Sequence, residues 1–404
     1  MRRLIHTPIW RSEMRFPVLD GWRGLCALFV ALFHFNASGH FYPVPFVRGS
    51  YLFVDFFFVL SGFVITHAYI HRLNSTADGR NFLVRRLGRV WPLHAATLIA
   101  FIPLEIVKAL AVSGETAAFT ARFAPSSILS NLLLVHSLGI EDGLTWNIPS
   151  WSISAEFLAY VSFAALCLLA RRTWLVTVSA VALSAAGAFV VMGWSDQYID
   201  TSFDFGYFRC LYGFFTGHVA YRLFQAARGA GLPKLTMGLP IAGLLEGLSL
   251  AAVVVFVATA RGNALSYASP LLFGLVVWVF AFEGGVISRL LAMRPFQWLG
   301  ARSYSVYMVH ALVIALYEKA AVAMQRLSGQ PMFIEQATNG AEDRLISFGA
   351  TWMMDLLALA YLGTVVAVAS LTYRFVEIPG QSSFNALLLK RRKPAVRPAA
   401  MEVT

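Results

Sequence analysis

The apolar positions of this chain fall in unbroken blocks of about twenty residues, parted by short polar stretches. Strands of a membrane barrel would instead alternate apolar and polar residues, and no such alternation is present. The blocks lie at 18–37, 51–71, 90–112, 152–170, 174–194, 206–225, 238–258, 266–283, 304–324 and 350–374. Each is long enough, as a helix, to cross a hydrocarbon core of about 30 Å. The pattern predicts an all-α polytopic transmembrane helix bundle of ten spans. A further apolar piece at 127–138 is too short to span. It predicts a re-entrant or interfacial helix, or part of an eleventh span.

The polar positions orient these spans. Arginines and lysines gather before the first span, at 72–89 after the second, and at 171–172, 222–234 and 289–302. Acidic residues such as Glu141, Asp142, Asp196, Asp200, Asp204, Glu342 and Asp343 occupy the intervening loops. Cations favour the cytoplasmic side, so both termini are expected there. A cleaved leader is disfavoured, because Phe35 stands where cleavage before Ala37 would need a small residue. Residues 1–380 read as one integral membrane domain. The basic segment 381–404 reads as a disordered cytoplasmic tail able to touch anionic lipid.

Composition agrees with this reading. The chain is 58% hydrophobic and 13% charged, where a soluble domain carries about 25% charge. The net charge of +11 sits in short loops, so it signals topology rather than nucleic-acid binding. Cys26, Cys167 and Cys210 lie in apolar segments without metal-ligand spacing, so neither a zinc site nor a disulfide framework is expected.

Charges inside spans mark candidate chemistry, because they are costly to keep there. Arg23 and His34 stand eleven residues apart in LDGWRGLCALFVALFHF. Eleven helical steps make about three turns, so both face one side, about 16 Å apart along the axis. An unperturbed imidazole titrates in the neutral range, which makes His34 a candidate general base. In YLFVDFFFVLSGFVI, Ser61 and Gly62 suit close helix packing, and Asp55 sits at the outer end of the span.

Other segments add weaker signals. Arg85, Arg86 and Arg89 in RNFLVRRLGRVWP suit an anion clamp, since guanidinium forks match phosphate. They equally satisfy the positive-inside rule. Glu156 in TWNIPSWSISAEFLAY needs a partner, with Arg23 and Arg209 as candidates. Tyr304, Tyr307 and His310 share one late span, and Arg374 and Glu377 stand at i,i+3 spacing after the last one.

Taken together, LDGWRG-x9-H, FFFVLSGF, RRLGRVWP, PSWSISAEF, GARSYSVYMVH and YRFVEIP, in that order, resemble the membrane-bound acyltransferase-3 family over about residues 16–380. The resemblance implies a ten- or eleven-span protein. Such a protein moves an acyl group, commonly acetyl, from cytoplasmic acyl-CoA to a hydroxyl of a saccharide or exported glycan. It implies the bacterial cytoplasmic membrane and acyl-CoA as cosubstrate, with no permanently bound cofactor. The family's Arg-x10-His signature falls on Arg23 and His34, its arginine motif on Arg86 and Arg89, and its Ser-Gly motif on Ser61 and Gly62. Its acidic position falls on Glu156 and its late Tyr/His motif on Tyr307 and His310.

The expected mechanism has Arg85, Arg86 and Arg89 holding the phosphates and Arg23 orienting the thioester. His34 is the base on the acceptor hydroxyl, or alternatively an acylated nucleophile. Glu156 would fix the ionisation of one of these groups. A transporter exporting a lipid-linked saccharide is the rival reading, since intramembrane charges also line substrate pathways. No inverted repeat of broken segments supports it.

Overall fold

A computed structural model describes residues 15–111, 118–231, 239–338 and 341–389. In chain order the α-helices are α1 Pro17–His34, α2 Pro45–Arg48, α3 Phe53–Tyr69, α4 Thr76–Ala111, α5 Ser127–Leu132, α6 Trp151–Ala170 and α7 Thr173–Trp194. There follow α8 Gly206–Gly229, α9 Leu239–Thr259, α10 Ser269–Phe280, α11 Val286–Leu291, α12 Arg294–Ser328, α13 Thr351–Thr372 and α14 Ile378–Leu388. The protein is a helical integral membrane protein. Among the described residues seven helical segments are long and apolar enough to cross a bilayer: Ser50–Tyr69, Thr76–Leu110, Ile148–Ala170, Thr173–Trp194, Pro240–Thr259, Arg294–Ser328 and Thr351–Leu388.

The other three predicted spans are also helical, as α1, α8 and α10. α1 carries Asp20 and Arg23, and α8 carries Arg209, Arg222 and Arg228. Those charges lower their apolar content; Arg209 is buried inside the bundle, whereas Arg222 is half-buried and Arg228 exposed near the end of α8. α10 is a twelve-residue helix entered through a 3-10 turn at Ala264–Ala268.

Burial separates centre from rim. The α3 span is 72% buried, whereas the Pro240–Thr259 span is 22% buried. α3 packs on α8, α8 on α7, and α1 along α12. The α3–α8 contact depends on glycine. A Cβ on Gly62 would lie 1.8 Å from the Phe214 carbonyl oxygen, and one on Gly217 would lie 1.9 Å from that of Val59. The two backbones touch, so small residues here serve the close approach expected of membrane helices.

Several local features differ from the sequence pattern. The arginine stretch 80–89 is not a loop. α4 runs through it into the third span, with Pro92 and Pro103 inside the helix, as neighbouring helices permit in membranes. The piece 127–138 holds the six-residue α5, followed by turns. An antiparallel hairpin, β1 Phe333–Thr338 and β2 Ala341–Ile346, adds two strands to the expected all-helical fold. It is tied to the end of α1 by a bridge between Ile346 and Ala37. Residues 381–388 continue α14, which packs on α4. The remainder of the expected tail lies outside the described residues.

The last turn before α14 is a π-helix, Tyr373–Glu377. Its wider turn means that three residues no longer return a side chain to the same face. The expected Arg374–Glu377 pair is therefore not formed. Arg374 lies over the Phe375 ring, and Glu377 turns inward to Arg89 and to the Ser305 hydroxyl, the latter at 2.5 Å.

Candidate active site

Five helices enclose a cavity of about 170 Å³. α1 contributes Arg23, α3 contributes Ser61, and α4 contributes Arg86 and Arg89. α6 supplies Ser152, Glu156 and Tyr160, and α12 supplies Ser303, Tyr304 and Tyr307. Phe57, Phe58, Leu60, Val64 and Ile65 of α3 form much of its apolar wall. Seven residues singled out in the sequence thus meet at one place: Arg23, Ser61, Arg86, Arg89, Glu156, Tyr304 and Tyr307. Arg85, His34 and His310 are not among the lining residues. For Arg85 the reason is helical: one residue from Arg86 on α4, it lies about 100° around the axis.

Arg23 is held on three sides. Its Nη2 reaches the Asp20 carboxylate at 3.0 Å and donates to the Gly300 carbonyl at 2.9 Å, and its Nε donates to the Ser303 hydroxyl at 2.8 Å. Such contacts fix a guanidinium as a rigid donor fork. Arg89 is paired with Glu377 and lies 5.5 Å from the Tyr304 ring centroid. Arg86 stands over the Tyr69 ring at 5.4 Å, and its Nη2 donates to the Tyr69 hydroxyl at 3.4 Å. Three guanidinium groups therefore border one small cavity, those of Arg23 and Arg89 each paired with a carboxylate and that of Arg86 with no carboxylate among its contacts to the described residues.

On the opposite side Glu156 pairs with neither Arg23 nor Arg209. It accepts a 2.5 Å hydrogen bond from Tyr160, one turn further along α6. With the Tyr160 proton committed to that carboxylate, the Ser61 hydroxyl at 3.1 Å donates to the Tyr160 oxygen. Tyr160 had a signal in the sequence, the i,i+4 spacing from Glu156. Ser303 had none, because α12 meets α1 only in the fold.

Arg209 is engaged elsewhere. Its Nε and Nη2 grip the two oxygens of Asp55 at 2.9 and 3.0 Å, and Ser269 donates to Asp55 at 3.0 Å. Asp55 and Arg209 are both fully buried. Asp55 is thus half of a bidentate pair that joins α3, α8 and α10.

The same-face relation of Arg23 and His34 holds, since both turn toward α12: Arg23 meets Gly300 and Ser303, and His34 meets His310. His34 Nδ1 lies 2.9 Å from the Val30 carbonyl oxygen. A carbonyl only accepts, so Nδ1 carries the hydrogen. In the neutral ring Nε2 then holds a lone pair, as a base requires. The His34 and His310 ring centroids are 4.9 Å apart, and those of His310 and Tyr307 are 5.7 Å apart. A line of rings thus joins His34 to the cavity wall at Tyr307. Nearby, Arg48 lies between the Phe33 and Tyr42 rings at 5.1 and 4.5 Å and donates to the Phe33 carbonyl. Burial lowers its guanidinium from the ordinary value.

Comparison with known proteins agrees with the motifs. Residues 16–374 match the model of the acyltransferase-3 family, described as an acyltransferase domain. "Protein 2 in picA locus" of Rhizobium radiobacter is 35% identical over 191 residues, covering 43% of this chain and 95% of that protein. "Peptidoglycan O-acetyltransferase OatA" of Listeria monocytogenes is 26% identical, covering 76% of this chain and 50% of the relative. "O-acetyltransferase OatA" of Staphylococcus aureus is 24% identical, covering 91% of this chain and 57% of the relative. The chain therefore spans about half the length of these two O-acetyltransferases. No solved structure matches it significantly. Family match and cavity chemistry lead to one conclusion: the chain belongs to the acyltransferase-3 family.

Proposed function

We propose that the protein is an integral-membrane O-acyltransferase of the bacterial cytoplasmic membrane. It spans the bilayer ten times with both termini cytoplasmic. It moves an acetyl group from cytoplasmic acetyl-CoA to a hydroxyl of a saccharide or exported glycan. The observation that carries this reading is the gathering of Arg23, Arg86 and Arg89 around one cavity, with His34 and its Nε2 lone pair three turns along the same helix. Membership of an acyltransferase family gives the rival transporter reading no comparable support.

A volume of about 170 Å³ takes a slender chain but not a nucleotide, since sites for drug-sized ligands run to about 300 Å³ and more. The pantetheine arm suits it. Arg86 and Arg89 meet the phosphates at its mouth. Ser61, Tyr160, Glu156 and Tyr307 offer partners to the two amide groups of the arm. Arg23 orients the donor between these ends. The span of about 16 Å from Arg23 to His34 is comparable with much of the pantetheine arm, which brings the thioester toward the histidine.

At that point His34 Nε2 takes the proton of the acceptor hydroxyl. The acceptor oxygen bonds to the acyl carbon, and the C–S bond breaks with its electron pair on the sulfur of CoA. Mass spectrometry of surface glycans and exported small molecules, from cells with and without the intact protein, tests the reading. Loss of ester-linked acetyl groups without the protein supports it; an unchanged acetyl content contradicts it.

A further inference from the structure

His310 stands on α12 one turn beyond Tyr307 and is fully buried. Neither of its ring nitrogens has a hydrogen-bond partner among the described residues. An imidazole carries at least one N–H in either neutral tautomer and two when protonated, and the nearest acceptors, the Val306 and Tyr307 carbonyls of its own helix, make no well-directed hydrogen bond to it. Buried polar groups are ordinarily satisfied, and an exception calls for an explanation.

The neighbours explain why the protein itself does not answer this donor. The His34 ring lies on one side at 4.9 Å, tilted by 43°, and makes no hydrogen bond to His310. The Tyr307 ring also adjoins it, at 5.7 Å between centroids, with its hydroxyl engaged by Ser152 and by the Pro149 carbonyl. His310 thus adjoins both the proposed base and Tyr307 of the donor-cavity wall. An oxygen atom of a substrate reaching His34 from that cavity would arrive beside it.

We propose that His310 is a catalytic residue whose ring N–H donates to the thioester carbonyl oxygen as that oxygen becomes anionic. The inference rests on the acyl-transfer reading above. The acceptor oxygen forms its bond to the acyl carbon while its proton passes to His34 Nε2. The π electrons of the carbonyl move onto its oxygen, and the His310 N–H holds the charge. When the carbonyl reforms, the C–S bond breaks with its pair on sulfur, and the proton on His34 neutralises the thiolate. One histidine handles the proton and the other the oxyanion. This division explains two adjacent imidazoles with no hydrogen bond between them.

The test uses membrane vesicles from the native cells, which carry their own acceptor, and acetyl-CoA labelled in the acetyl group. Alkali-labile label is measured against acetyl-CoA concentration and normalised to the amount of inserted protein. His310→Gln keeps an N–H donor and should stay within about tenfold of wild type. His310→Leu should lower the maximal rate by about 10²–10³-fold, as loss of one oxyanion donor does, with KM for acetyl-CoA unchanged. If His310→Leu fails to accumulate, His310→Phe, which keeps a ring, takes its place. An unaltered maximal rate in the apolar variant overturns the inference, and so does equal loss in the Gln and apolar variants. No label from wild-type vesicles is a different result, because it sinks the acyl-transfer reading itself.

Discussion

Glu377, in the π-turn after α13, closes on Arg89 of α4, 288 residues earlier in the chain. Its side chain is fully buried, while that of Arg89 retains 30% exposure. The pair, with Ser305 on the second carboxylate oxygen, ties the C-terminal helices to the cavity wall. Breaking a buried pair by removing one partner costs about 3–5 kcal/mol. Access of Arg89 to solvent places Glu377→Ala toward the lower end of that range. Thermal unfolding of the purified protein in detergent checks this, and an unchanged midpoint would show the pair to be dispensable.

Within the arginine cluster the effect should follow the face of α4. Arg86→Ala should raise KM for acetyl-CoA about tenfold or more, as expected for one charged hydrogen bond to a phosphate. Arg85→Ala, one residue outside the cavity lining, should leave KM near the wild-type value. Equal effects at both positions would point to general attraction by positive charge.

Asp55 and Arg209 should behave as a structural unit. Asp55→Ala alone leaves a buried guanidinium unpaired and should lower stability by about 3–5 kcal/mol. Asp55→Ala with Arg209→Met removes both charges and should recover most of the loss, because paired residues are not additive. The amount of inserted protein and its unfolding temperature report both outcomes. A double variant as unstable as the single one would mean that the pair is not what joins these helices.

Gly62→Ala should separate α3 from α8, since the added carbon would lie 1.8 Å from the Phe214 carbonyl oxygen. Overpacking of this kind costs about 1–3 kcal/mol. Ser61 adjoins this contact, so the cavity should shift with it, and acetyl transfer should fall together with thermal stability. A variant of unchanged midpoint and rate would refute the close packing.

Much of the bundle was legible in the sequence. Nine of its long helices coincide with predicted spans that are apolar blocks or Arg/His-bearing runs, because hydrophobic length reports directly on a bilayer. Helix partners were not legible. The sequence offers Arg23 and Arg209 as candidate partners of Glu156, yet Tyr160, Asp20 and Asp55 take those places, since a sequence gives periodicity along a helix and not its neighbours across the bundle. The extent of α4 was hidden by its arginines, which read as a loop although they are good helix formers. Polar residues also concealed the hairpin at 333–346, whose Glu335, Gln336, Asp343 and Arg344 pair across two short strands.

The most direct test is the rate of labelled acetyl transfer from acetyl-CoA in native vesicles carrying either wild-type protein or His34→Ala. Wild-type vesicles should release free CoA and gain alkali-labile acetyl label. Vesicles with His34→Ala, holding as much inserted protein, should do neither. Transfer at the wild-type rate in His34→Ala would remove the base from the mechanism, and an inert wild type would contradict acyl transfer altogether.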